Sequence, residues 1–165
     1  MVSHQENTKL VWELLENVKD PEVPVLSVVD LGIIRAVEKD GNEFIITITP
    51  TYSGCPAMRT IEEDIHDTLN AEGILIKEIK TVLSPAWTTD WISEKGRKNL
   101  EEYGIAPPQD EVDKSVLFAE PTIVPCPLCK SKNTRMISQF GSTACKAHYQ
   151  CNDCLEPYDY FKCLK

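Results

Sequence analysis

Six of the seven cysteines lie in the last 40 residues of the chain, and four of them form two closely spaced pairs. Cys126 and Cys129 make one Cys-x2-Cys motif, and Cys151 and Cys154 make a second one after 21 intervening residues. Each pair can chelate one ion with two thiolates from a single turn. Because a closed tetrahedral site of four thiolates is typical of structural Zn²⁺, these four cysteines are the predicted metal ligands.

The identity of the metal in this tail stays open at the level of the sequence. Thiolate ligation alone does not separate zinc from an iron–sulfur cluster, and Cys145 and Cys163 remain outside the two pairs. Zinc is the expected ion and an iron–sulfur cluster is the alternative. Either would stabilise a piece of about forty residues, which is too small to fold on core burial alone. His148 is interpreted as a packing or surface residue and not as a ligand.

The seventh cysteine, Cys55, stands alone in the stretch TPTYSGCPAM. Pro56 is typical of the first helical position, so Cys55 is predicted to be the N-cap of a helix. At that position the unsatisfied backbone N–H groups and the helix dipole favour the thiolate, which is the form that binds metals. Thr51 could add a hydroxyl donor. A small buried cysteine that fills space is the alternative, and the residues alone leave both interpretations open.

The periodicity of apolar residues predicts an α+β fold, in which a small sheet packs with helices and a small Cys-rich, zinc-ribbon-like domain follows. In chain order the predicted elements are a helix capped by Asn7 or Thr8, two strands that turn at Asp40-Gly41, a helix that opens at Pro56, a strand over residues 74–83, and a helix between Ser93 and Gly104. Cys55 is thereby placed between the second strand and the second helix.

The distribution of charge divides the chain. Residues 1–124 hold 11 Lys and Arg against 23 Asp and Glu, a net charge of −12, whereas residues 125–165 hold 6 against 3, a net charge of +3. Residues 105–124 are rich in Pro and acidic residues without clear periodicity, which is typical of an extended linker. The predicted domains are therefore residues 1–104 and residues 125–165, joined by that linker.

Composition also argues against several classes of protein. The acidic main part repels phosphate backbones, so a zinc-ribbon module that binds nucleic acid ranks last among the hypotheses. The first residues lack a basic segment followed by an apolar run, and no stretch approaches the roughly 18 apolar residues that a membrane span requires. Seven cysteines without an export signal fit a reducing compartment. We therefore expect a cytoplasmic protein that makes no membrane contact.

Two pairs of segments carry a resemblance to known families. The segment DPEVPVLSVVDLGII, from Asp20 to Ile34, and the later segment TPTYSGCPA resemble the metal-sulfur cluster assembly domain of the SufT type. The segments SPAWTTDWISEKGRKNLEEYGIAPP and FGSTACKAHYQCNDCLEPYDYFKC resemble one branch of it, the PaaD (PaaJ) family of subunits associated with multicomponent phenylacetyl-CoA epoxidase. Together the resemblance covers roughly residues 5–165.

The resemblance implies roles for individual residues of the first domain. In the family the cysteine of the GCP-type motif is implicated in cluster or iron handling, so Cys55 is expected to be a transient ligand of an iron–sulfur cluster or of iron. The resemblance also implies that polar side chains lie near Cys55, namely those of Asp20, Glu22, Asp30 and Thr51. Turn chemistry is the alternative interpretation, because Asp20-Pro21 and Asp30-Leu31-Gly32 are also good turn sequences. Both interpretations stay open for Asp20 and Glu22, whereas the functional one is preferred for Asp30.

The function implied by the resemblance is that of an accessory or maturation factor for the phenylacetyl-CoA epoxidase of aerobic phenylacetate degradation. Its partners would be the epoxidase components, with the iron–sulfur reductase as the expected client, and no independent enzymatic activity is expected. A structural or catalytic subunit is the alternative. However, a di-iron oxygenase needs two Glu-x-x-His motifs, whereas this chain has one, Glu63-x-x-His66, which is interpreted as part of a solvated helix face.

Overall fold

The computed structural model describes residues 4–109 and 122–162, with side chains described from residue 7 onward. The chain divides into two compact units, Met1–Ser93 (unit 1) and Glu94–Lys165 (unit 2). Cys163 and residues 110–121 of the predicted linker lie outside the described residues. The predicted domains, residues 1–104 and 125–165, stay a prediction, and the two compact units meet between Ser93 and Glu94.

Unit 1 contains two α-helices, a three-stranded sheet and one short 3₁₀ turn. Its elements are α1 (His4–Leu15), β1 (Ile34–Asp40), β2 (Glu43–Ile48), α2 (Ala57–Ala71), β3 (Leu75–Thr81) and the 3₁₀ turn Thr89–Trp91. The strand order is β1-β2-β3, in which β1 runs antiparallel to β2 and β2 runs parallel to β3. A parallel pair needs a crossover connection, and α2 supplies it between β2 and β3.

The hairpin of β1 and β2 confirms the turn predicted at Asp40-Gly41. Gly41 has a φ of 62°, a left-handed conformation that glycine adopts without steric cost. Along β2 the side chains of Phe44, Ile46 and Ile48 are buried and alternate with half-buried ones, as expected for a strand with one face in the core. The register places Ile34 of β1 opposite Ile48 of β2.

Helix α2 confirms the predicted amphipathic pattern, because Ile61, Ile65 and Leu69 recur every four residues and are fully buried. The helix α1 begins at His4, so the prediction that Asn7 or Thr8 caps it is wrong. Its first turn carries no apolar residue, and apolar periodicity therefore could not locate its start.

A single apolar core holds unit 1 together. It takes residues from both helices, from β2 and from the long loop between α1 and β1. The members with at most 2% of their surface exposed are Val11, Leu15, Val18, Val23, Leu26, Val28, Leu31, Ile33, Ile46, Ile48, Ile61, Ile65 and Leu69.

The described residues of unit 2, 94–109 and 122–162, contain one helix and a four-stranded sheet. Its elements are α3 (Glu94–Tyr103), β4 (Ile105–Ala106), β5 (Thr134–Ser138), β6 (Lys146–Cys151) and β7 (Pro157–Phe161). The strand order is β4-β7-β6-β5, in which β5, β6 and β7 form an antiparallel meander and β4 runs parallel to β7. Gly104, with a φ of 91°, ends α3 at the predicted position.

Three tyrosines are the largest side chains in the core cluster of unit 2. The ring of Tyr149 stacks on that of Tyr158 at 5.9 Å between centroids and meets that of Tyr160 edge-on at 5.6 Å. The hydroxyl of Tyr158 donates to the carbonyl of Val124 at 2.7 Å, and that of Tyr149 donates to the carbonyl of Thr122 at 2.9 Å. Burial of its ring raises the pKa of Tyr158 to about 12, so its hydroxyl stays protonated and remains a donor. The rings thus fix the segment that leads into Cys126.

The predicted α+β class with a Cys-rich second part is confirmed. No helix among the described residues combines the length and the apolar character that crossing a membrane requires.

Candidate functional site

Three segments of unit 1 leave its sheet at the same end. Ile48, the last residue of β2, is paired both with Ile34, the first residue of β1, and with Thr81, the last residue of β3. The loop before β1, the loop after β2 and the segment after β3 therefore start from one edge. These segments carry Asp20 and Asp30, Thr51 and Cys55, and the two tryptophans near residue 90. The sheet thus brings together the segments in which the site residues were predicted.

Cys55 lies half-buried in the loop between β2 and α2. The hydroxyl of Thr51 donates a hydrogen bond to its sulfur at 3.9 Å, which brings together two of the predicted site residues. Gly54, just before it, has a φ of 77°, a conformation that a larger side chain would resist. The sulfur is therefore held by a tight turn with one hydroxyl partner.

The prediction that Cys55 is the N-cap of α2 is wrong. The cap position belongs to Pro56, with a φ of −68° and a ψ of −19°, and no side chain caps this helix end. The fixed φ of proline suits either the cap position or the first turn, so the residue type could not decide between them. Cys55 precedes the cap by one residue.

Asp20 orders the loop that precedes β1. Its carboxylate is 5% exposed and accepts hydrogen bonds from the backbone N–H groups of Glu22, at 2.7 Å, and Val23, at 3.1 Å. Its own N–H donates to the carbonyl of Leu26 at 2.9 Å. These bonds are the local turn chemistry proposed as one interpretation of Asp20. Glu22 is half-buried in the same turn.

Asp30 connects two distant parts of unit 1. Its carboxylate is 5% exposed and accepts from the hydroxyl of Ser27 at 3.1 Å and from that of Ser93 at 2.8 Å. The N–H of Ser93 also donates to the carbonyl of Asp30 at 2.8 Å. Neither serine was among the predicted partners, and for Ser93 the reason is that a pairing over 63 positions leaves no signal in local sequence patterns.

The segment after β3 packs against the residues that lead into β1. Gly32 has a φ of 78°, and a Cβ placed there would lie 2.7 Å from the Cβ and the carbonyl oxygen of Trp91. The indole N–H of Trp87 donates to the carbonyl of Leu31 at 2.9 Å. The guanidinium carbon of Arg35 lies 3.5 Å from the centroid of the Trp91 ring, within cation–π range. Only glycine therefore fits at position 32, and the two tryptophans hold this loop in place.

Thr49 carries an unpaired hydroxyl at the base of the Cys55 loop. Its side chain is 1% exposed, and its Oγ1 has no hydrogen-bond partner among the described residues. An unpaired buried polar group costs about 1–3 kcal/mol. Thr49→Val keeps the shape and removes the hydroxyl, so we expect it to stabilise the protein by about 1 kcal/mol and to raise the thermal midpoint by roughly 4–8 °C. Circular dichroism during heating would measure this.

Thr47→Val is the matched control, because Thr47 lies two residues earlier, on β2, and is half-buried. We expect its effect to stay within about 0.5 kcal/mol. A lower midpoint for Thr49→Val would show that the hydroxyl has a bonding partner in solution.

The four cysteines of the two pairs meet at one point of unit 2. The sulfurs of Cys126 and Cys154 are 3.7 Å apart, those of Cys129 and Cys151 are 3.6 Å apart, and all four lie within 4.8 Å of one another. Four sulfurs at about 2.3 Å from a tetrahedral ion would be separated by about 3.8 Å. The arrangement therefore fits the binding of a single metal ion, and the predicted ligands are the ones brought together.

Each cysteine pair sits in the same type of turn. The residue after the second cysteine, Lys130 in one turn and Leu155 in the other, has a φ of 65°. A left-handed conformation costs a residue other than glycine about 1–2 kcal/mol, so the fold holds both residues there against their preference. The turns direct backbone N–H groups at sulfur, as the hydrogen bond from Ser131 to Cys129 illustrates. Such bonds orient and stabilise metal-bound thiolates.

Protonation of the four thiols is governed by these bonds and by their closeness. The N–H of Cys154 lowers the pKa of Cys151 to about 7. At Cys154 the N–H of Glu156 lowers the pKa. Desolvation and the three neighbouring thiols raise it by a larger amount, so the pKa of Cys154 is about 12. Four adjacent thiols thus do not all ionise without a cation. A metal ion must displace protons on binding, and its affinity falls as the pH falls.

Cys145 and His148 stay outside this centre. Cys145 is 6% exposed, and its sulfur lies 3.0 Å from the hydroxyl of Thr143. The Nδ1 of His148 lies 3.4 Å from a carboxylate oxygen of Asp159, in agreement with the predicted packing role. Neither Cys145 nor His148 belongs to the four-sulfur group.

The chain matches two family models, one in each part. Residues 9–73 match the model of "Iron-sulfur cluster assembly protein", and residues 110–162 match that of "PaaD zinc beta ribbon domain". The first covers the Cys55 loop, and the second covers the four clustered cysteines. The Cys55 loop and the cluster of four cysteines thus belong to domains of different families.

Relatives and a solved structure agree with these matches. The chain is 46% identical to a putative 1,2-phenylacetyl-CoA epoxidase subunit of Escherichia coli over 93% of this chain and 92% of that protein. It is 35% identical to "Fe-S protein maturation auxiliary factor" of Porphyromonas gingivalis over 54% of this chain and 87% of that protein. The crystal structure of DUF59, a domain of unknown function from Bacillus anthracis, superposes with a TM-score of 0.54 at 29% identity, over 58% of this chain and 92% of that one. The identity to the Escherichia coli protein over nearly the whole of both chains shows that this chain belongs to the PaaD family.

Proposed function

We propose that this chain is an accessory subunit of a phenylacetyl-CoA epoxidase and assists the assembly of an iron–sulfur cluster, or the delivery of iron, in that enzyme. In this proposal Cys55 is the transient ligand of the cargo, and the four cysteines of unit 2 hold a structural zinc ion. Support comes from the family of the chain and from the names of its two relatives, one an epoxidase subunit and the other a maturation factor.

The contrast between the two thiol sites carries the proposal. Cys55 is one half-buried thiol whose hydrogen-bond partner is the hydroxyl of Thr51. Among the described residues it belongs to no group of three or more potential metal ligands, whereas the four tail cysteines form such a group. One thiolate can bind iron but cannot enclose it. A site of this kind suits a ligand that is received and passed on.

Zinc is supported over an iron–sulfur cluster by the sulfur distances. All four sulfurs lie within 4.8 Å of one another, and the two closest pairs match a single tetrahedral ion. Sulfurs that bind different irons of a cluster lie farther apart than sulfurs on one ion, because the separation of the irons is added. When bound, zinc would supply cross-links that hold the two turns together, and it has no redox chemistry of its own.

The chain gives little support to a catalytic di-iron role. Glu63 and His66 both lie exposed on α2, and Glu63 pairs with Arg59 at 3.0 Å. A di-iron site needs inward-facing carboxylates and histidines from several long helices. The expected role is therefore maturation and not turnover.

The iron–sulfur reductase is the proposed client. The resemblance implies that the epoxidase has a di-iron site in its oxygenase component and an iron–sulfur cluster in its reductase component. Because unit 1 is similar to cluster assembly proteins, the cluster is the better target. Epoxidase produced without this chain should contain assembled subunits but a reductase poor in iron and sulfide.

The test is to produce the epoxidase with and without this chain and to measure iron and acid-labile sulfide in the purified reductase. We expect several-fold less of both when the chain is absent, and recovery when it is co-produced. Reductase with full iron and sulfide that stays inactive until this chain is added in stoichiometric amount would replace maturation by a structural or catalytic subunit role.

A further inference from the structure

Unit 2 contains a groove of about 380 Å³ beside the first cysteine pair. It lies between the end of α3, the Cys126–Cys129 turn and the start of β7. Its apolar lining residues are Pro127, Leu128 and Tyr158, and its charged lining residues are Lys98, Glu101, Glu102, Lys130 and Glu156. A groove of this volume is large enough for one or two apolar side chains of a partner.

We propose that this groove is the docking site for a segment of an epoxidase component that presents an apolar side chain next to Lys or Arg. The inference rests on the proposed function for the identity of the partner. The nature of the segment follows from the lining of the groove.

Exposed leucines mark the groove as a contact surface. Leu128, between two metal ligands, is 68% exposed, and Leu155, directly before Glu156, is 67% exposed. Both belong to the turns that carry the cysteines, and of the two Leu128 lines the groove. Exposed apolar side chains at a concave surface are typical of protein–protein contact sites.

The charges around the groove favour a basic partner. Lys98 lies 3.8 Å from Glu102, and Lys130 pairs with Glu101, so each lysine of the rim is matched by a glutamate. Glu156 then adds one negative charge that no lysine of the lining matches. Four thiolates around one Zn²⁺ would add a formal charge of roughly −2 next to Pro127 and Leu128. The field in the groove is therefore negative, which attracts Lys and Arg.

The same charges disfavour other occupants. The chain as a whole has a net charge of −9, so two copies repel each other overall, although residues 125–165 carry +3. Nucleic acid would be repelled for the same reason.

The experiment uses the full-length, zinc-loaded chain with a fluorescent label. Each purified epoxidase component is titrated onto it, and anisotropy reports binding. The component that binds is then divided into overlapping synthetic peptides, and each apolar–basic peptide is compared with a version in which Lys and Arg are replaced by Glu. We expect an apolar–basic peptide to bind and its acidic version not to bind.

Two variants locate the contact. Leu128→Asp should weaken binding about tenfold or more, because it places a charge among the apolar residues that line the groove. Glu156→Lys should weaken it about threefold and reduce its dependence on salt. Leu83→Asp, at a leucine of unit 1 that is 61% exposed, and Glu72→Lys, which changes the net charge equally, are the matched controls and should bind as the unaltered chain does. Zinc content confirms that every variant is intact.

Three outcomes would overturn the proposal. Equal binding by Leu128→Asp and the unaltered chain would overturn the groove alone, since the partnership would stand. No binding of any component by the unaltered chain would overturn both the groove and the partnership. The maturation role has its own test, which is the iron and sulfide content of the reductase. Self-association that Leu128→Asp abolishes would replace the partner by a second copy of this chain.

Discussion

Replacing Cys151 by Ser is expected to release the metal from unit 2 and to unfold residues 122–162 while unit 1 stays folded. Cys151 is fully buried at the end of β6, where a serine hydroxyl would give three thiolates and one weak ligand. Binding of structural zinc contributes about 10–16 kcal/mol to the folding of small domains. The small tyrosine core of unit 2 cannot replace such a contribution. Zinc content and limited proteolysis of the variant would measure both effects.

Cys145→Ser is the matched control for this prediction. Cys145 is also buried, at 6% exposure, but it lies outside the four-sulfur group. This variant should keep its metal and its fold. Full metal content in Cys151→Ser, or loss of metal from Cys145→Ser, would show that the ligands have been assigned wrongly.

Replacing Cys55 by Ser is expected to leave the fold intact and to remove the assembly function. The side chain is half-buried and serine has nearly the same shape, so the change in stability should stay within about 1 kcal/mol. A serine hydroxyl does not ionise near neutral pH and is a poor ligand for iron, whereas a thiolate is a good one. Iron and sulfide in the reductase co-produced with this variant should fall to the level seen without the chain.

Ser53→Ala tests whether the loop or the sulfur matters. Ser53 is exposed in the same turn, so this variant should support normal cluster content in the reductase. If Cys55→Ser also supported normal content, Cys55 would be a residue that fills space and the proposed function would lose its cargo site.

Local patterns were sufficient to predict the three helices and the strands β1 to β3, whereas the strands of unit 2 were not predicted one by one. The buried stripe of α2, with Ile61, Ile65 and Leu69 four residues apart, could be read directly because a helix brings every fourth residue to one face. The turn at Asp40-Gly41 and the end of α3 at Gly104 followed from the freedom of glycine at positive φ. Where polar residues or proline allowed two positions, as at the starts of α1 and α2, the prediction missed by one residue or more.

The metal centre was predictable for a related reason. A Cys-x2-Cys pair places two sulfurs on one turn, so the spacing itself encodes half of the site. The sequence did not show that the residues after each pair, Lys130 and Leu155, take left-handed conformations, because glycine is the usual signal and is missing at both positions.

The sequence by itself determined the α+β class, the helix, hairpin and turn signals, and the two cysteine pairs that could hold a metal ion, all of which depend on residues close together in the chain. Only the tertiary structure decided that Asp30 bonds to Ser93 and that Trp91 excludes any side chain at Gly32. It also decided that the loop of Cys55 leaves the sheet at the same end as the segments that carry Asp30 and Trp91. These contacts join residues far apart in the chain. Their partners are selected by the pairing order of the strands and by the space left in the packed core, which no local pattern records.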